Sequence, residues 1–503
     1  MSFASRLLRY EENLHPLAQR SSLHLRKIPL LDETEGTACR SPFGRDRDRI
    51  IFSKSFRRLM HKTQLYLSHE GNEHKRTRLT HTIEVVQIAR AVARNLAMNE
   101  ELVEAIAYGH DIGHAPFGHA GERQIDLFLK GVEPFTRRIR ERMGSQKRRP
   151  EDISGDFKHN YQSIRILTFL EDYHPEYEDD GFDLTVPCLE GILKHTSMES
   201  LPHVSPRRKV CNYPGMREGL FAKLDLDAAH SITIEGQIVS VADEIAQVTH
   251  DINDALRIGA LSIERLCSVE GLQSILDADR MRYPASIESC RNKTQKKHAQ
   301  IMSALLNYFI TVTIQQFERA ISDYVTSRPL EASPVKLTGW LLPSNKPQDA
   351  VFNRLKRLKK DIVLNNFLVN RMDSKGEYII RNLFEAYLNN PRQLPDGVLD
   401  HYCRVKKIEL DKPRGETTFS DWLKATTKWY EIKDPLTPTD FSEIIGFLQR
   451  ETDGREFRLL HPDLIVKLLP YFAVDQDFLR AIADHIASMT DLYAQEEFHR
   501  LYS

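Results

Sequence analysis

No stretch of about 18 consecutive apolar residues occurs anywhere in this chain, which argues against a membrane-spanning helix. The opening MSFASRLLRYEENLHPLAQR carries no apolar core of the kind a signal peptide needs, so the expected location is the cytoplasm. Cysteine is sparse. Cys39, Cys188, Cys211, Cys267, Cys290 and Cys403 are scattered without a CxxC pair, which argues against a zinc ribbon, an iron–sulfur site or a disulfide framework and leaves them as reduced bystanders. Net charge is nearly absent too: 70 Lys plus Arg balance 71 Asp plus Glu, so no global field draws the chain to nucleic acid or membrane and any polyanion must be bound locally. The β-branched alternation that announces a sheet is equally rare. What remains is a chain 41% hydrophobic and 28% charged, the balance of an ordinary globular protein rather than a disordered one. With 503 residues it has room for more than one domain.

The fold class expected is mainly α. Residues 1–44 show no clear period and read as an arm. From Arg45 the spacing becomes helical, with helices predicted over Arg49 to Leu67, Thr80 to Leu96 and Glu100 to Asp111. The glycines and proline of GHDIGHAPFGHAG then make a turn. TRRIRERMGSQKRRPEDISGD, between Gly131 and Phe157, is basic and then acidic, a surface excursion. The clearest period lies in Gly236 to Leu256, where Ile238, Val241, Ile245, Val248, Ile252 and Ala255 share one helical face. Asp243, Gln247, His250, Asp251 and Asp254 occupy the opposite face, which periodicity alone assigns to solvent. Beyond Leu266 a second helix-rich region follows, with breaks at YPASIES and SRPLEASPVKLTGWLLPSNKPQD and no internal repeat.

The 20 histidines carry the chemistry, because several fall together. His110 to Glu122 reads HDIGHAPFGHAGE, placing three imidazoles and two carboxylates in one short stretch. A lone histidine is more often a hydrogen-bonded or exposed side chain than a ligand, but this density reverses the preference. Adjacent His110 and Asp111 at a helix end suit a borderline or hard divalent ion. His81, in RTRLTHTIEVVQIAR, lies 110 − 81 = 29 positions upstream, about one helix, a turn and a second helix, so an antiparallel hairpin can bring it beside His110.

An early His, an His-Asp pair and a distant Asp together resemble the HD superfamily of metal phosphohydrolases, at His81, His110, Asp111 and Asp243. The neighbouring segments RDRDRIIFSKSFRRLMHKTQ, RTRLTHTIEV, HDIGHAPFGHAGE, FKHNYQSIRIL, EGILKHT and EGQIVSVADEIAQVTHDINDAL, with ADHIASMTDLYA near the end, look in that order like the bacterial dGTPase and dGTPase-like proteins. The resemblance implies an HD core over 45–265 and a helical C-terminal region, 266–503, that completes the enzyme. It also moves the polar face of the Asp243 helix from solvent into a cavity.

The implied activity is metal-dependent hydrolysis of deoxynucleoside triphosphates, dGTP or several dNTPs, at the α-phosphorus, to deoxynucleoside and intact triphosphate. His119 with Glu122 would act as acid–base pair, with His114 and His159 as further candidates near the leaving oxygen. Gln64 and Asp251 would meet the deoxyribose, and Arg78, Asn160 and Lys194 the phosphates. His195 and His250 match the family wording without an assigned role. The donor set admits Mg, Mn, Fe, Co, Ni or Zn. Implied partners are a dNTP substrate, other copies of the chain in a hexamer or tetramer, and single-stranded DNA or a dNTP as effector, with no membrane. One departure stands out: the family's tyrosine one turn after the metal aspartate, which packs on the sugar, is Gln247 here. That keeps a second enzyme reading open, an HD phosphohydrolase acting on another nucleotide or phosphoester. A third reading is a nucleotide or nucleic-acid sensor that does not hydrolyse, with KRR of the 131–157 excursion touching phosphate backbones.

Overall fold

The computed structural model describes residues 3–24, 40–64, 76–130, 157–171, 181–196, 224, 229–282, 294–327, 336–343, 346–406, 445 and 462–502. Among these the chain is helical throughout, and the β-structure is an isolated antiparallel bridge between Thr63 and Thr77. No helix among the described residues is long and apolar enough to cross a membrane. The chain divides into two units, one comprising 1–114, 159–211 and 216–374 and the other 115–158, 212–215 and 375–503.

In the first unit α1 (Phe3–Glu12) precedes α2 (Pro42–Phe52) and α3 (Lys54–Arg58). A single helix was expected from Arg49 to Leu67, but Ser53 breaks it: its backbone is extended and its hydroxyl accepts the Phe56 N–H at 2.9 Å, ending one helix and capping the next. Leu67 lies outside the described residues. Helix α4 (Arg78–Asn95) opens on a reciprocal box, with the Thr77 hydroxyl accepting from Thr80 N at 3.3 Å and the Thr80 hydroxyl accepting from Thr77 N at 3.2 Å. Helix α5 (Glu100–Gly109) is capped by Asn99 and carries Glu100 and Glu101 in its first turn, where they complement the helix dipole.

Against α4 and α5 pack α9 (Ile234–Arg257), with Thr233 as its cap, and the long α10 (Thr294–Ser327) packs on α4 and α9. Helix α6 (Gly118–Leu129) belongs to the second unit; in the first, α8 (Val186–Leu193) packs on α5 and α9, α7 (His159–Arg165) lies beside α8, and α11 (Ala350–Lys359) packs on α9. The core between these helices is fully buried: Val85, Ala89 and Val92 of α4, Leu102 and Ile106 of α5, and Val241, Ile245 and Val248 of α9. The apolar face read from the sequence of α9 is therefore the packed one. Its other face is not solvated: His250 and Asp251 are buried, and Asp243, Gln247 and Asp254 only partly exposed.

In the second unit α6 is accompanied by α12 (Phe367–Asn389, which begins at the end of the first unit), α13 (Asp396–Lys406), α14 (Pro462–Phe472), α15 (Gln476–Ser488) and α16 (Asp491–Tyr502). Phe128 stacks on Phe384 with ring centroids 4.3 Å apart, and Tyr402, Phe472 and Phe478 form a second aromatic cluster. The Asp491 carboxylate accepts the Phe117 N–H at 2.9 Å, tying the start of α16 to the turn before α6. The excursion expected between Gly131 and Phe157 falls outside the described residues, apart from Phe157 itself.

Candidate metal centre

The turn after α5 sets the geometry. Regular helix stops at Gly109, His110 keeps helical backbone angles, and the Ser163 hydroxyl clamps the turn by donating to His110 O at 3.1 Å and accepting from Gly113 N at 2.9 Å. A side chain at Gly113 would meet His159 O at 2.2 Å and Ser163 N at 2.3 Å. Only glycine lets α7 approach closely enough to place His159 beside the His-Asp pair.

Helices α4, α5 and α9 bring His81, His110, Asp111 and Asp243 together. His81 Nε2 lies 2.9 Å from Asp243 Oδ1 and 4.0 Å from Asp111 Oδ2; His110 Nε2 lies 3.6 Å from Asp111 Oδ1 and 3.8 Å from Asp243 Oδ1. Two atoms each bonded at about 2.1 Å to one ion sit roughly 3 to 4 Å apart at ordinary coordination angles, so these spacings suit a shared cation. The tautomers agree. His110 Nδ1 donates to Ala107 O at 2.6 Å, so its Nε2 carries a lone pair, and that atom is buried without a hydrogen-bond partner among the described residues. An orphaned buried acceptor of this kind calls for a ligand. His81 uses Nε2 toward Asp243 and Nδ1 toward His250 Nδ1 at 3.1 Å, while His250 Nε2 bonds Glu84. The chain Glu84, His250, His81 is how a second layer of residues fixes the tautomer of a metal-binding imidazole.

A second triplet adjoins the first. Ligand atoms of Asp111, His159 and His195, all buried, lie within 4.8 Å of one another. His195 Nδ1 donates to Ile192 O at 2.7 Å, which turns its Nε2 toward His159 Nε2 at 3.3 Å. His114 stacks on His159 at 3.8 Å and sets its Nε2 3.1 Å from Asp111 Oδ1.

Electrostatics fit a cation site. Burial alone would raise the Asp111 carboxyl, but the charges of His110, His114 and Arg78 outweigh it and hold Asp111 well below the usual carboxylate range. Burial is likewise outweighed at Asp243, by the His81 hydrogen bond and the charge of His110. Burial pushes the imidazoles the other way, reinforced by neighbouring positive charge: His114 falls well below its ordinary value, and His195 to about 3. The centre therefore offers the ionised carboxylates of Asp111 and Asp243, with His114 and His195 beside them held in the neutral form by burial.

The remaining residues singled out in the sequence are placed as follows. Arg78 is buried, with its Nη1 2.8 Å from Asp111 Oδ2, so it is no surface ion pair. Asn160 donates to Leu193 O and to the Thr196 hydroxyl, both at 2.9 Å. Lys194 is fully buried and pairs with Glu190 at 3.0 Å. Asp251 pairs with Lys359 at 3.0 Å, and Gln64 has a buried Oε1 without a hydrogen bond among the described residues. In the second unit His119 is exposed, its Nδ1 3.9 Å from Glu122 Oε2, and buried Glu122 bonds Lys158 at 2.9 Å. Lys359 and Glu84 had no signal in the sequence, and His195 and His250 had one only as members of a family wording.

This arrangement defines an HD-domain phosphohydrolase. The HD domain matches residues 78–247, which carry the whole His81, His110, Asp111 and Asp243 set, and the phosphohydrolase-associated domain matches 344–412, which carry Lys359. Among similar proteins are a deoxyguanosinetriphosphate triphosphohydrolase-like protein of Nitrobacter hamburgensis, 35% identical over 75% of this chain and 85% of the relative, and one of Mesorhizobium japonicum, 36% identical over 80% and 90%. A third, from Brucella ovis, is 35% identical over 78% and 88%. The chain belongs to the deoxyguanosinetriphosphate triphosphohydrolase-like family of HD-domain proteins.

Proposed function

We propose that the protein hydrolyses deoxynucleoside triphosphates, dGTP among them, to deoxynucleoside and triphosphate with a divalent metal ion. The observation that carries this reading is the buried His110 Nε2, without a hydrogen-bond partner among the described residues, beside the ionised carboxylates of Asp111 and Asp243. His81, His110, Asp111 and Asp243 would hold the ion. When bound, it supplies a Lewis acid for a phosphate oxygen and lowers the pKa of a water.

Water adds to the α-phosphorus, the bond from phosphorus to the sugar 5′-oxygen breaks, and that oxygen leaves with a proton. Our assignment gives proton transfer to His119 oriented by Glu122, with His114 and His159 as further candidates for the proton on the leaving oxygen. Arg78 holds Asp111 through one arm, and its Nε, buried and without a partner among the described residues, supplies a further donor to a phosphate oxygen. Asn160 and Lys194 serve the phosphates by shaping the wall between α7 and α8, and Gln64 and Asp251 meet the sugar.

The test is to incubate the purified chain with each dNTP and Mg²⁺ or Mn²⁺ and measure inorganic triphosphate. We expect turnover that disappears in His110→Ala. The absence of triphosphate with every metal, or equal release by His110→Ala, rejects the reading.

A further inference from the structure

The segment ADHIASMTDLYA (483–494) lies far along the chain from the histidine cluster, yet one of its side chains reaches the turn inside that cluster. The Asp491 carboxylate accepts the Phe117 N–H at 2.9 Å across 374 positions of sequence, and both residues belong to the second unit. Asp491 is buried and is the first residue of α16. The Thr490 hydroxyl caps that helix by accepting the Tyr493 N–H at 3.2 Å, so the Asp491 carboxylate is not required for the cap.

What the contact holds is an unusual backbone. Phe117 has φ 62° and ψ 22°, the left-handed region that a bulky side chain rarely adopts, and its side chain gives α6 no cap in return. Such a conformation persists only where its surroundings over-determine it. Two neighbours do so here. Asp491 takes the amide, and α12 closes on the ring side, where a Cβ on Gly376 would stand 2.6 Å from Phe117 Cβ.

Phe117 sets where α6 begins, and His119 is the second residue of that helix. The His119 side chain is 60% exposed, with Nδ1 3.9 Å from Glu122 Oε2, so packing around the ring does little to fix it. The place of the imidazole is therefore inherited from the backbone of the first turn of α6.

We propose that Asp491 is a positioning residue for proton transfer: by holding the Phe117 N–H it fixes the left-handed entry to α6, and with it the placement of His119 against Glu122. This rests on the reading that gives proton transfer to His119. The effect of Asp491 on the reaction runs through that imidazole alone.

The experiment measures triphosphate release from dGTP by the full chain in Mn²⁺, with kcat and KM determined separately. Asp491→Ala should lower kcat about tenfold and leave KM within about twofold, because displacing a catalytic group slows the step without weakening substrate binding. Asp491→Asn keeps an oxygen that can accept the Phe117 N–H and should restore kcat to within about threefold of wild type. In a His119→Ala background, assayed at high enzyme, Asp491→Ala should cause no further loss, since residues that act as a unit are not additive. If His119→Ala retains no turnover, the split between kcat and KM and the rescue by Asn decide. An unchanged kcat, a loss carried by KM, a loss that Asn does not rescue, or an equal loss with and without His119 each overturns the inference and leaves the triphosphohydrolase reading intact. Full activity in His119→Ala also overturns it. No triphosphate from the wild-type chain overturns both. Gly376→Ala, which presses on Phe117 from the other side, carries the same kcat, KM and His119→Ala comparisons if Asp491→Ala does not fold.

Discussion

Arg78→Met separates the two jobs that positive charge does at Asp111. The pair is buried on both sides, Arg78 at 2% and Asp111 at 6% side-chain exposure, with 2.8 Å between nitrogen and oxygen. Removing one partner of such a pair leaves an uncompensated carboxylate and costs about 3 kcal/mol. His114 at 3.1 Å and the adjacent His110 remain, so the value belongs at the low end of the range. In a unit of this size that corresponds to a fall in Tm of about 4 °C. A divalent ion on Asp111 restores the missing charge, so saturating Mn²⁺ should shrink the difference between variant and wild type to about 1 kcal/mol. The assay is thermal unfolding by circular dichroism in EDTA and in Mn²⁺. Arg94→Met, which breaks the exposed pair with Glu100, is the control and should show little change and no dependence on Mn²⁺. A destabilisation by Arg78→Met that is the same with and without Mn²⁺ would show that no ion sits on Asp111.

Two further outcomes follow from the same surroundings. Glu84 is about half exposed, yet it anchors the His250 ring that faces the metal-side imidazole; Glu84→Ala should weaken Mn²⁺ binding about tenfold in calorimetric titration with no change in far-UV dichroism, and unchanged affinity refutes the relay. Asp254 is raised to about 6 by burial, which Asp251 reinforces and Arg76 opposes. Its folded pKa lies above its unfolded one, so below pH ~4 it costs nothing, stability falls as pH rises from ~4 to ~6, and a deficit of up to about 3 kcal/mol persists above. Asp254→Asn should therefore match wild type in urea denaturation at pH 4 and exceed it at pH 8; an equal difference at both pH values contradicts the shift.

How much of this was readable in advance varies by residue. His110 and Asp111 stand out because a dense, glycine-flanked cluster at a helix end has few other uses, and the helical class follows from periods of three and four. The break at Ser53 was hidden because the residues on both sides keep good helical spacing, and only the hydroxyl bonded to Phe56 N reveals the cap. Lys359 was invisible for a different reason. A lysine in the basic stretch RLKRLKK reads as solvated, and nothing local says that α11 packs on the polar face of α9.

That face of α9 shows where periodic reasoning stops. A polar stripe opposite an apolar one is assigned to water because charged groups are costly to bury unless paired. Here each polar member has a partner supplied from elsewhere in the chain: Asp243 has His81 of α4, Gln247 and Asp251 share Lys359 of α11, His250 lies against Glu84 of α4, and Asp254 pairs with Arg76 just before α4. The helix is thus buried on both sides, once by apolar packing and once by paired polar groups. Pairing from distant elements is a property of the tertiary structure, so the period of α9 gives its packed face correctly and says nothing about whether the other face meets water or a substrate.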